Sequence, residues 1–79
     1  MKNYKTTGVC SRQIDFKVEE GIVKNVKFHG GCEGNLQGVS QLVEGLSVNQ
    51  VISKLDGITC GYKTTSCPDQ LAKALKEYI

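Results

Sequence analysis

The chain has 79 residues, 39% of them apolar and 23% charged, with ten basic and eight acidic side chains giving a formal charge of +2. This describes one small domain over residues 1–79 and leaves no room for a second. Charges interleave from Lys2 to Lys76, which excludes the basic stripe that grips nucleic acid; no apolar run reaches the length of a membrane span, and the start MKNYKTTG lacks the apolar core of a secretory signal. A reduced cytosolic setting is expected, where four cysteines serve metal or redox chemistry rather than structural disulfides. So short a chain buries only roughly 60% of its unfolded surface, so a metallic staple would help its core hold.

Along the chain, Cys10, Arg12, Ile14, Phe16 and Val18 alternate with Ser11, Gln13, Asp15 and Lys17, the period of a half-buried strand with Cys10 on the core face. Ile22, Val26 and Phe28 mark a second strand, and Glu19-Glu20-Gly21 between them predicts a hairpin. A three-residue loop with Gly21 in the left-handed region pairs Val18 with Ile22 and Ile14 with Val26, and sets Lys24 opposite Phe16. In that register Cys10 lies across from Gly30 with Cys32 on the diagonal, roughly 7 Å away by backbone. The period then becomes helical. Leu36, Val39, Leu42 and Val43 form one stripe ending at Gly45. Ser47 and Gln50 make a capping box for a second helix carrying Val48, Val51, Ile52 and Leu55, stopped by Asp56-Gly57. The last helix opens at Ser66 or Cys67 with Pro68 and Asp69 in its first turn, and carries Leu71, Ala74, Leu75 and Tyr78. The expected fold class is α+β: a small antiparallel sheet, the N-terminal hairpin, packed against two or three C-terminal helices.

Cys10, Cys32, Cys60 and Cys67 fall in four different segments, with no CxxC among them. Glycines flank Cys32 and Cys60, allowing backbone N–H groups close to a sulfur, and Cys32 and Cys67 stand at predicted helix starts, where the dipole favours the thiolate that metals bind. Arg12 and Lys63 add compensating charge. Four thiolates suit zinc, at about 2.3 Å, or an iron-sulfur cluster. A single cysteine of this kind is more often a small buried hydrophobe; it is the four together that point to a shared site. His29, the one histidine, takes an odd strand position and is expected to be solvated, as are Glu19 and Glu20 in the turn. GGCEGN has neither GxGxxG spacing nor a P-loop lysine, so it offers no nucleotide cradle.

The run Thr65-Ser66-Cys67-Pro68-Asp69, followed by Gln70-Leu71-Ala72, resembles the signature of the TSCPD domain family, and Gly31-Cys32 and Cys60-Gly61 look like its other cysteine motifs. The resemblance covers nearly the whole chain. It implies a small stand-alone relative of the domain found at the C-terminus of adenosylcobalamin-dependent ribonucleotide reductases, with a metal or redox role for the cysteines. Reductase activity itself is not expected, because 79 residues cannot enclose nucleotide and cobalamin. A more distant likeness is to IscU/NifU-type iron-sulfur scaffolds, whose three cysteine places match Cys10, Cys32 and Cys67. Arg12 and Ser66 stand where those scaffolds carry an acidic residue and a histidine, and LPPVK is missing, which favours a closed four-cysteine site over cluster transfer.

The function expected is a cytosolic four-cysteine metal-binding module, zinc or iron-sulfur, acting as accessory or scaffold, with Cys10, Cys32, Cys60 and Cys67 as ligands. The alternative is a thiol redox domain associated with ribonucleotide reduction, and a third reading is a purely structural interaction domain. The implied partner is a ribonucleotide reductase or an iron-sulfur or redox protein, with no nucleic acid, no membrane and the oligomeric state left open.

Overall fold

The computed structural model describes residues 2–6, 11–31 and 33–78. Three strands, β1 (Lys2–Lys5), β2 (Ser11–Glu19) and β3 (Ile22–Gly30), form an antiparallel sheet in the order β1-β2-β3. Helices α1 (Glu33–Val43), α2 (Val48–Leu55) and α3 (Cys67–Leu75) follow, and a 3-10 turn (Lys76–Tyr78) ends the described chain. The α+β class is as expected. The edge strand β1 is an addition, since its four residues are too short and too rich in lysine to show a pattern.

The hairpin differs from the expected register. Glu19 pairs with Ile22 across a two-residue turn in which Glu20 (φ 52°) and Gly21 (φ 77°) are both left-handed, the arrangement of a type I′ turn. Two bulges then correct the register. Beyond Lys17–Lys24, β3 gains one residue at Asn25 (φ 56°), so that Ile14 faces Phe28; beyond Gln13–His29, β2 gains one at Arg12, so that Ser11 faces Gly30. The first bulge reunites Ile14 and Phe16 with Val26, while near the turn Val23 takes the core in place of Ile22. Lys24 pairs with Lys17 near Glu19 instead of lying opposite Phe16. The second bulge turns Ser11 inward, where it is 2% exposed. The expected pairing of Cys10 with Gly30 and Cys32 falls on residues outside those described.

Helices cover one face of the sheet, and Ile14, Phe16, Val23, Val26, Val43, Val48, Val51, Leu71, Ala74 and Leu75 make a single core. The predicted caps are present: Ser47 and Gln50 complete the capping box of α2, and Ser66 caps α3 with Pro68 in the first turn. Gly45 and Gly57, at φ 83° and 85°, end the first two helices. In α1, Leu36 and Val43 are buried and Val39 is half-buried, but Leu42 is 79% exposed, because its position rotates it off that stripe. Tyr78 is partly exposed and meets Phe16 edge-on at 6.0 Å. No helix among the described residues is long and apolar enough to cross a membrane.

Candidate functional site

α3 is the most enclosed element of the chain. Cys67, Asp69, Gln70, Leu71, Ala72, Ala74 and Leu75 are all buried, so the helix presents polar groups to the interior as well as its apolar stripe. A buried polar group needs partners, and the residues around the start of α3 supply them. Ser66 Oγ accepts from Asp69 N (3.2 Å) and donates to the Ile58 carbonyl (2.7 Å). Asp69, 1% exposed, accepts from Gly57 N (2.7 Å), from the Thr65 hydroxyl (2.5 Å) and from Lys73 Nζ (2.5 Å). Thr65 in turn accepts from Gln70 Nε2 (2.9 Å). Burial alone would raise the Asp69 pKa, but the bonds from Lys73, Thr65 and Gly57 outweigh it and hold the carboxyl down at about 2. The same pair raises the Lys73 pKa. This carboxylate pins the loop between α2 and α3 to the helix.

Cys60 lies within that pinned loop and Cys67 just past its end. Cys60 is exposed in a tight turn: its carbonyl accepts from Lys63 N (3.0 Å) and its N–H donates to the Thr65 carbonyl (3.2 Å), with Gly61 left-handed between them. Cys67, at the first position of α3, is 5% exposed, and its sulfur accepts from the Ser11 hydroxyl at 3.0 Å. No disulfide joins Cys60 to Cys67. Cys10 and Cys32 lie outside the described residues, and among the described residues no group of three or more metal-ligating side chains gathers. The described flanks do approach one another. Ser11, next after Cys10, touches Cys67 and pairs with Gly30, two positions before Cys32.

Of the auxiliary residues, Lys63 belongs to the Cys60 turn, and Arg12 is the exposed bulge residue of β2. His29 does point away from the core, but it is anchored: its Nε2 lies 2.6 Å from Asp15, whose carboxylate also accepts from Gln13 Nε2 at 2.8 Å. The Gln13 bond first, and His29 second, lower the Asp15 pKa. Glu19 and Glu20 are exposed, as expected. Sequence reasoning missed Ser11, Thr65 and the full burial of Asp69. Part of the signal for the last was available, since Asp69 and Lys73 stand at the four-residue spacing that stacks side chains on a helix.

Fold and site together define a small α+β domain built around a buried, polar-tipped helix that carries a cysteine at its start. The chain belongs to the TSCPD domain family, whose model matches residues 2–79. Neither the curated proteins nor the solved structures yield a match to it.

Proposed function

We propose that the chain is a four-cysteine metal-binding module, holding zinc or an iron-sulfur cluster through Cys10, Cys32, Cys60 and Cys67, in an accessory or scaffold role in a reduced, cytosolic setting. The observation that carries this reading is the contact between the Ser11 hydroxyl and the Cys67 sulfur, which brings the β2 start against the α3 start. In support, Ser11 pairs with Gly30, two positions before Cys32, and the Cys60 N–H meets the Thr65 carbonyl, two positions before Cys67. The donor chemistry fits, because thiolates at a helix start with hydroxyl and amide donors nearby are the ligands that tetrahedral zinc and iron prefer. The metal, when bound, would supply cross-links between loops that a core this small cannot hold firmly by itself.

A thiol redox role is the second reading, favoured by one observation: Cys60, exposed within the loop before α3, and Cys67, buried at the loop's end, have the division of labour of an attacking and a resolving thiol. The family link to ribonucleotide reduction makes a reductase or an iron-sulfur protein the candidate partner. Metal analysis of anaerobically purified protein separates the readings. About one zinc, or a coloured cluster, per chain supports the first; a metal-free protein in which Cys60 and Cys67 cycle to a disulfide supports the second and overturns the first.

A further inference from the structure

The sheet has two edges, and they are not alike. β1 is four residues long. β3 is nine residues long and, among the described residues, has a neighbouring strand only on its β2 side. A strand turns alternate N–H and C=O groups to its outer side. At the start of β3 these are taken: Val23 N donates to the Leu46 carbonyl (2.8 Å), Gly45 N donates to the Val23 carbonyl (2.9 Å), and Asn25 N donates to the Glu44 carboxylate (2.9 Å). Past the Asn25 bulge no backbone bond from the described residues covers the edge in this way. Instead a groove of about 640 Å³ opens there, lined by every residue from Val26 to Gly31. Consecutive residues of a strand point to opposite faces, so a groove touching all of them runs along the edge itself. Its other wall is one face of α1, including Gln37, Ser40 and Gln41.

We propose that this edge of β3, from Val26 to Gly30, receives an extended acidic segment of a partner polypeptide, which adds to the sheet as a fourth strand between β3 and α1. Five residues of edge span about 16 Å at the usual rise, enough for alternate backbone bonds to fix a short segment in register. Charge selects the occupant. Arg12 and Lys27 line the groove beside His29, which Asp15 already holds, and the one acidic lining residue, Glu44, is engaged by Asn25 N at the far end. A second copy of this chain, pairing β3 with β3, would bring the Lys27 side chains of the two copies to the same short edge, so the lysine that discourages self-pairing favours an acidic guest. The proposal is independent of whether the cysteines hold metal.

The test uses the full chain labelled with ¹⁵N, titrated with a short capped peptide alternating glutamate and valine, with its lysine counterpart and with a copy methylated on alternate backbone nitrogens. Expected are shifts confined to the amides of Val26–Gly30 and the facing side of α1, slower hydrogen exchange at that edge, and binding that weakens with salt. Lys27→Glu, at an exposed position, should weaken the acidic peptide by about tenfold and let the lysine peptide bind in its place. The methylated copy should not bind. Unmoved edge amides at millimolar peptide, equal binding of the two charge types, indifference to Lys27→Glu, or protection of the edge by self-association without peptide would each overturn the proposal.

Discussion

The Ser11 hydroxyl donates to the Cys67 sulfur at 3.0 Å, across 56 positions of sequence. Both groups are buried, and the contact ties the first residue of β2 to the first residue of α3. Ser11 reaches it only because the Arg12 bulge reverses the strand's parity at that end. Removing the hydroxyl is therefore a probe of the sulfur. Ser11→Ala should cost about 1 kcal/mol in denaturant unfolding. If Cys67 is a metal ligand, it should also lower metal retention against a chelator by about tenfold, the usual size of an outer-shell effect. A protein with full stability and unchanged metal content would remove this contact from both accounts.

If the four cysteines share one metal, they should behave as one unit. Under the metal reading, each single Cys→Ser change at 10, 32, 60 or 67 lowers metal content and melting temperature together. Under the redox reading only the reacting pair matters, and Cys10→Ser leaves melting unchanged. Metal per chain measured beside a melting curve for each variant decides between these patterns.

Asp69 gives stability with a defined pH dependence. Its carboxyl is at about 2 in the folded chain against an ordinary value of 3.8, so the folded state prefers the ionised form. That contribution, about 2 kcal/mol by linkage, is fully present above pH 4 and fades as pH falls through 2. Asp69→Asn abolishes it. The gap between wild type and variant in urea unfolding should be wide at pH 7 and shrink between pH 4 and pH 2; a gap constant over that range would contradict the ion-pair account.

Two leucines that the sequence pattern treats alike should respond differently. Leu71 is fully buried in α3, and Leu71→Ala should cost about 2–5 kcal/mol. Leu42 is 79% exposed, and Leu42→Ala should change stability by less than about 0.5 kcal/mol. Unfolding midpoints of the two variants test the placement of α1 directly.

At the hairpin turn, Glu20 holds φ 52°, a region glutamate adopts at a cost and asparagine tolerates. Glu20→Asn would create the Asn-Gly pair that type I′ turns prefer and should stabilise by roughly 0.5–1 kcal/mol. Asn25→Val, placing a branched side chain at φ 56°, should destabilise by about 1–2 kcal/mol. If neither change moves the melting temperature, the turn and bulge are not as described.

Some of this molecule is written locally. Ser47 with Gln50, Ser66 with Pro68, and Gly45 and Gly57 fix where helices begin and end because their chemistry acts within one turn. Period alone likewise identified the hairpin and the apolar stripes, and so the α+β class. The register was beyond such reasoning. Glu20 and Asn25 enter the left-handed region, and Arg12 bulges, because the sheet must bring Ile14, Phe16, Val23 and Val26 together in one core with the helices, a requirement no neighbouring residue states. The same holds for Ser11 on Cys67 and for Asp69 holding Gly57, Thr65 and Lys73 at once: residue types and spacings were legible, but burial is what turns an ordinary cap-region aspartate into an anchor, and burial is a property of the assembled layers.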